Sequence, residues 1–106
     1  MHTPTFSVII PAYNAEATLA ATVESVLNQS DPDFEVVIVD DGSTDGTLCA
    51  MLDAGCRDMR VRVVSQPNAG VSATRNYGAS LARGKFLAFL DADDQWKPNK
   101  LETHRR

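Results

Sequence analysis

Phe86-Leu87-Ala88-Phe89-Leu90-Asp91-Ala92-Asp93-Asp94 is a run of five apolar side chains that ends abruptly in acid. Consecutive apolar residues leave no polar face, which predicts a strand covered on both sides, as in a parallel sheet flanked by helices. The acids then sit at the carboxyl end of that strand, where open α/β sheets bind ligands. In extended backbone Asp91 and Asp93 point the same way, because side chains alternate with period two. Two convergent carboxylates suit a hard divalent cation such as Mg²⁺, which is commonly held by one or two carboxylates plus substrate phosphates. Asp-rich strand ends also serve as solvated turns and helix caps, so the neighbouring chain has to decide between these readings.

Upstream, the chain alternates strand and helix. Phe6-Ser7-Val8-Ile9-Ile10 is a β-branched run closed by Pro11, which cannot donate to a ladder. Asn14 is a candidate cap for a helix running to about Gln29, with Leu19, Val23, Val26 and Leu27 at helical spacing. Phe34 to Val39 reads as a second strand ending in Asp40-Asp41-Gly42-Ser43. Thr44 or Asp45 would cap a second helix with Leu48, Met51 and Leu52 on one face, stopped by Gly55. Arg60-Val61-Arg62-Val63-Val64 alternates, as an edge strand with one wet face does. Ser65 to Gly70 is a loop, and Ser72 would cap a third helix aligned on Ala73, Tyr77 and Leu81 and closed by Gly84. Beyond Asp94, Pro98 fits the first turn of a fourth helix. Four strand-helix alternations with short connections predict an α/β fold: a Rossmann-like parallel sheet of about four strands with right-handed crossovers and helices on its faces.

Composition narrows the function. At 106 residues and 43% hydrophobic content the chain has the size of one domain. Residues 1 to 56 hold nine acids and no Lys or Arg, residues 57 to 106 hold five acids and ten bases, and the net charge is −4. An acidic chain without a basic stripe argues against nucleic acid as a partner. Cys49 and Cys56 have no paired His or further Cys nearby, so neither a zinc site nor a disulfide framework is expected. With no apolar run near 18 residues and no leader-like amino terminus, the expected location is cytoplasmic.

Three strand ends now carry binding chemistry: Pro11-Ala12-Tyr13-Asn14, Asp40-Asp41-Gly42-Ser43 and Asp91-Ala92-Asp93. In a parallel sheet all three lie along one edge. Together with Ser7-Val8-Ile9-Ile10 before the first, Glu35-Val36-Val37-Ile38-Val39 before the second, Thr44-Asp45 after it, Asn68-Ala69-Gly70 and Arg75-Asn76, they make the chain resemble the amino-terminal half of a family 2 glycosyltransferase of the GT-A fold. The resemblance covers nearly the whole chain and rests on several motifs in order. It implies a metal-dependent, inverting transferase that moves a sugar from a nucleoside-diphosphate sugar to an acceptor the sequence does not name. By resemblance, Pro11, Ala12 and Tyr13 border the base, with Tyr13 against the ring, and Asp41, beside Asp40, accepts a ring N–H. A carboxylate acceptor suits uracil, thymine or guanine, which carry an imino proton, so UDP, dTDP or GDP sugars are expected. Asp91 and Ala92 would lie near the ribose or metal, Asp91 and Asp93 would hold Mn²⁺ or Mg²⁺, and Arg75 and Glu16 would add donor contacts.

The resemblance also bounds the claim. The family's general base, an Asp or Glu that takes the acceptor hydroxyl's proton, has no match here, so no catalytic residue is assigned. The expectation is a donor-binding half, residues 1–106, of a longer domain truncated at its carboxyl end, inactive alone, with any membrane association carried elsewhere in the full-length protein. Its central strand, Lys85 to Asp91, would then have an open edge inviting self-association. The competing reading is a non-catalytic nucleotide- or Mg-binding module such as a receiver-like signalling domain, which would place its paired acids after the first strand rather than the second. A Rossmann dehydrogenase lacks its Gly-x-Gly-x-x-Gly turn here. A sugar-phosphate nucleotidyltransferase lacks its Gly-rich basic loop.

Overall fold

The computed structural model describes residues 3–105. Its elements run β1 (Phe6–Ala12), α1 (Leu19–Leu27), β2 (Phe34–Asp41), α2 (Thr47–Arg57), β3 (Val61–Gln66), α3 (Val71–Leu81), β4 (Phe86–Phe89) and α4 (Lys100–Arg105). The four strands form one parallel sheet in the order β3-β2-β1-β4. The chain steps outward from β1 to β3, then crosses back to β4 on the other side of β1. Right-handed crossovers therefore put α1 and α2 on one face and α3 on the other. The larger core lies under α1 and α2, with Val8, Ile10, Val36, Ile38, Leu19, Val26 and Met51 buried. Ile9, Val37 and Val39 form a second core, joined by Leu81 of α3. Burial on both faces explains why β1 and β2 read as unbroken apolar runs.

Several expected boundaries move. Pro11 does not end β1, because that strand continues to Ala12 and Pro11 is paired with Val39 of β2. On the other side, the ladder with β4 closes where Leu90 N–H meets the Ile9 carbonyl at 3.0 Å. Pro11 lies past that point, facing the side on which no further ladder bond is made. Asn14 does not cap α1, which begins five residues later at Leu19 and ends at Leu27. Its backbone is left-handed at φ 48, and its side-chain oxygen accepts the Thr44 N–H at 2.8 Å, tying the loop after β1 to the loop after β2. Asp45 accepts the Thr47 N–H at 2.9 Å ahead of α2, which then passes through Gly55 without a left-handed residue. The buried face of α2 is Thr47 and Met51, with Leu48 and Leu52 exposed. Helix α3 starts at Val71, before Ser72, and packs through Thr74 and Gly78 rather than Ala73 and Tyr77. A Cβ at Gly78 would stand 2.5 Å from Ile9 Cγ2, so this glycine lets the helix sit close on the sheet. Helix α4 begins at Lys100, past Pro98.

The largest departure concerns the apolar run itself. β4 is the edge strand of the described sheet, and Phe86, Leu87 and Phe89 are exposed, Phe86 at 60%. Only Leu90 and Ala92 of that stretch are buried. Ala88 is half-buried and the Phe86 ring meets that of Phe6 at 6.1 Å, but among the described residues nothing covers the rest of Phe86, Leu87 and Phe89.

Candidate functional site

The carboxyl ends of all four strands lie along one edge, and the switch in strand order falls between β1 and β4. Such switch points open a crevice outside the strand ends. Tyr13, just after β1, stands there 53% exposed. It separates two adjoining clefts. One, of about 250 Å³, is walled by Pro11, Ala12, Tyr13, Asp41, Asn68 and Thr74. The other, of about 360 Å³, is walled by Pro11, Tyr13, Asn14, Thr18, Ala92 and Asp93.

Period-two alternation sends the two acids at the end of β2 in opposite directions. Asp40 faces the α1 and α2 side, where its carboxylate accepts the Ser43 N–H at 3.2 Å and the Ser65 hydroxyl at 3.3 Å. It is 3% exposed, lines neither cleft, and holds the turn. Asp41 faces α3. Its Oδ1 accepts Gln66 Nε2 at 3.0 Å and the Ala69 N–H at 2.8 Å, and its Oδ2 accepts the Gly70 N–H at 3.1 Å. Burial alone would raise its pKa; the hydrogen bonds from Gln66, Ala69, Gly70 and Thr74 outweigh that and hold it below the ordinary 3.8. The Thr74 hydroxyl has one proton and an alternative acceptor, the Gly70 carbonyl, at 2.7 Å. With the hydroxyl turned there, the carboxylate of Asp41, which lines the cleft, keeps an acceptor position for a ligand. Gly42 makes this arrangement possible: at φ 71, and with the Asn68 nitrogen 2.7 Å from where a Cβ would be, it admits the 66–70 loop against the end of β2.

The acids after β4 converge by a different route from the one expected. Asp91-Ala92-Asp93 is not extended; the Asp94 N–H bonds back to the Asp91 carbonyl at 3.0 Å, closing a turn. One carboxylate oxygen from each of Asp91, Asp93 and Asp94 lies within 4.8 Å of the others, and all three residues are exposed. Turning the chain brings Asp94 into a group where strand alternation placed only Asp91 and Asp93. An all-carboxylate set open to solvent fits Mg²⁺ or Mn²⁺ and leaves room for a ligand's oxygens. Arg75 reaches across from α3, its Nη2 3.0 Å from Asp91 Oδ1, while its buried Nε has no partner among the described residues. Glu16 lies elsewhere: its carboxylate is against Gly46 at the start of α2, and it lines neither cleft. Gln66 and Thr74 were not anticipated as site residues. The signal for Gln66 was its place at the end of β3, on the same edge.

The profile of the family described as "Glycosyl transferase family 2" matches residues 7–104. The chain is 47% identical over 100 residues to a putative teichuronic acid biosynthesis glycosyltransferase, TuaG, of Bacillus subtilis, covering 93% of this chain and 40% of TuaG. Among solved structures, that of S. aureus TarS in complex with UDP superposes with a TM-score of 0.87 at 34% identity, over 95% of this chain and 31% of that one. The mannosyltransferase PcManGT of Pyrobaculum calidifontis, in complex with GDP-Man and Mn²⁺, gives 0.81 at 28% identity, over 91% and 29%. The chain thus spans 40% or less of the length of these relatives. Strand order argues the same way, since a receiver-type sheet runs 2-1-3 whereas here β1 lies between β2 and β4. With a family profile over nearly its full length and the GT-A fold of its structural neighbours, the chain belongs to glycosyl transferase family 2.

Proposed function

We propose that this chain is the donor-binding part of an inverting, metal-dependent glycosyltransferase that uses a UDP, dTDP or GDP sugar. The observation that carries the reading is the pairing of a base-sized cleft, with the Asp41 acceptor at its wall, and a triad of carboxylates on the other side of Tyr13. Binding of UDP and UDP-GlcNAc by TarS, and of GDP-Man with Mn²⁺ by PcManGT, supports it. In this reading Pro11, Ala12 and Tyr13 flank the base and Asp41 accepts its imino proton. Asp91, Asp93 and Asp94 hold Mn²⁺ or Mg²⁺, which when bound offsets charge on the leaving diphosphate. No residue of this chain is assigned as the base that deprotonates the acceptor. Calorimetric titration with UDP, dTDP and GDP, each with and without Mn²⁺, tests the reading. Metal-dependent binding of one nucleotide, lost in Asp93→Ala, is expected; a folded chain that binds none of them in either condition would overturn it.

Arg75 has two tasks in this scheme, and they predict effects of opposite sign. Its pair with Asp91 is exposed on both sides, so it is worth at most about 1 kcal/mol. That is weak enough for the guanidinium to leave Asp91 for a diphosphate or base oxygen. Arg75→Ala is expected to tighten Mn²⁺ alone by up to about fivefold, since a competitor for Asp91 is gone. The same change should weaken the nucleoside diphosphate by roughly tenfold. A parallel fall in both affinities would make Arg75 a strut and no more.

A further inference from the structure

Three carboxylates held together without a cation repel one another, and the turn that carries them has a single backbone bond of its own, Asp94 to Asp91. Residues 90–99 contain no strand or helix, so their backbone groups need partners from elsewhere. One face of α1 and its flanks supplies them. Thr18, Thr22, Ser25 and Gln29 recur at helical spacing. Thr18 Oγ1 and Thr22 Oγ1 each donate to the Ala92 carbonyl at 2.9 Å. Ser25 Oγ accepts the Trp96 N–H at 3.1 Å. Gln29 donates to the Lys97 carbonyl at 2.7 Å and accepts the Leu101 N–H at 2.9 Å. Thr22 is 1% and Gln29 7% exposed, so the Thr22 bond to Ala92 and the Leu101 bond to Gln29 are made away from water, while Thr18 reaches the same carbonyl from the surface. Each threonine has an alternative acceptor one turn back, the Thr18 carbonyl at 3.2 Å for Thr22 and the Ala15 carbonyl at 3.4 Å for Thr18, and in both cases it is the longer.

We propose that Thr18 and Thr22 are positioning residues for the metal: by clamping the carbonyl of Ala92, midway between Asp91 and Asp93, they fix the acidic turn in the geometry that binds the cation. The inference rests on the metal-binding reading above and adds to it the part of the molecule that sets metal affinity without touching the metal. Outer residues that orient ligands commonly change metal affinity by 10-fold or more. The buried side chain of Ala92 anchors the same residue in the core, so the hydroxyl pair controls the direction of its carbonyl and with it the spacing of the flanking acids.

The test is Mn²⁺ affinity, read from free Mn²⁺ by electron spin resonance with UDP, dTDP or GDP present in turn, alongside thermal melting. The Thr18→Val and Thr22→Val double variant should bind Mn²⁺ about tenfold more weakly, and Thr22→Ser, which keeps the hydroxyl, should bind like the unmodified chain. Val37→Ala, a cavity in the separate core on the α3 face, lowers stability away from the cluster that holds Ala92 and should leave Mn²⁺ affinity unchanged. Should the double variant not fold, Thr18→Val alone at its exposed position carries the test, with a smaller loss in the same direction. Unaltered Mn²⁺ affinity in a folded valine variant, when the unmodified chain binds, would overturn the clamp and leave the function standing. No Mn²⁺ binding by the unmodified chain with any of the three nucleotides would overturn both.

Discussion

Asp41→Asn is expected to weaken nucleoside-diphosphate binding by about 10- to 100-fold, the worth of one hydrogen bond to a charged acceptor, and to cost stability as well. The substitution is nearly isosteric but inverts half of the group. Asp41 receives donors on both oxygens, from Gln66 and Ala69 on one and from Gly70 on the other. An amide nitrogen in either place faces an N–H with another N–H, and the stability cost should be about 1 to 3 kcal/mol. The remaining acceptor position of the carboxylate, which the base proton would take, is lost or becomes a donor. Urea denaturation measures the first effect and calorimetry the second. Because a loosened 66–70 loop would also reduce affinity, a ligand-side control is needed. Diphosphates of N3-methyluridine and N1-methylguanosine lack the imino proton, and the unmodified chain should reject the one related to its preferred base. Equal affinity for the methylated and unmethylated forms would remove Asp41 from base recognition, whatever the Asn variant does.

How much of this was legible in the sequence depended on whether the deciding partner was near in the chain. Val8 to Ile10 and Val36 to Val39 announce themselves, because strands buried on both faces have no choice but to be apolar. Tyr13, Asp41, Asp91 and Asp93 follow from those strands by topology alone, since parallel order brings their ends to one edge. Asn14 was misread as a helix cap because its true partner, Thr44, is thirty residues away and leaves no local trace. Helix α3 was rotated for a similar reason. Its contact face is Thr74 and Gly78, small residues that carry no hydrophobic signal, while Tyr77 on the outside carries a strong one. The polar stripe of α1 was invisible beside its apolar stripe, as Thr and Ser at helical spacing read equally well as solvent-facing positions. The turn at Asp91 to Asp94 could not be told from a strand end by composition, because Asp suits both.

A second large effect is expected far from the clefts, at Glu35. This carboxylate is buried on the α3 face at the opposite end of the sheet. Its Oε2 accepts the Ser7 hydroxyl and the Arg83 N–H, both at 2.6 Å, and its Oε1 accepts Arg62 at 2.9 Å. Ser7 in turn accepts the Gly84 N–H at 2.7 Å, and Arg62 also reaches the Leu81 carbonyl. One side chain thereby joins three strands to the segment between α3 and β4. Glu35→Ala leaves the Arg83 N–H and the Ser7 hydroxyl without their acceptor and Arg62 with the Leu81 carbonyl alone, a change that should cost about 3 kcal/mol. That is a large part of the stability of a small domain. Removing both charges, Glu35→Met with Arg62→Met, should cost less than the two single changes summed, because neither charge is then stranded. Additive costs in urea denaturation would refute the coupling. The pH dependence has a fixed sign. Burial would raise the Glu35 pKa, but Ser7, the Arg83 N–H and Arg62 bring it below the ordinary 4.5. A depressed folded-state pKa contributes stability that is fully present above the unfolded value and lost as pH falls through the folded one. Asp41 acts likewise below 3.8. Stability should therefore be level near neutrality and decline from about pH 4.5 downward, and Glu35→Gln should flatten the first part of that decline. The network matters to the site because it determines where β4 begins. Arg83 and Gly84 are held so that Phe86 N–H meets the Thr5 carbonyl at 2.9 Å and Phe86 pairs with Phe6. From that register the chain reaches Ala92 and Asp93 on the cleft that Tyr13 lines; a slip of one residue would turn Leu90 to the acids' side and bury a carboxylate in its place.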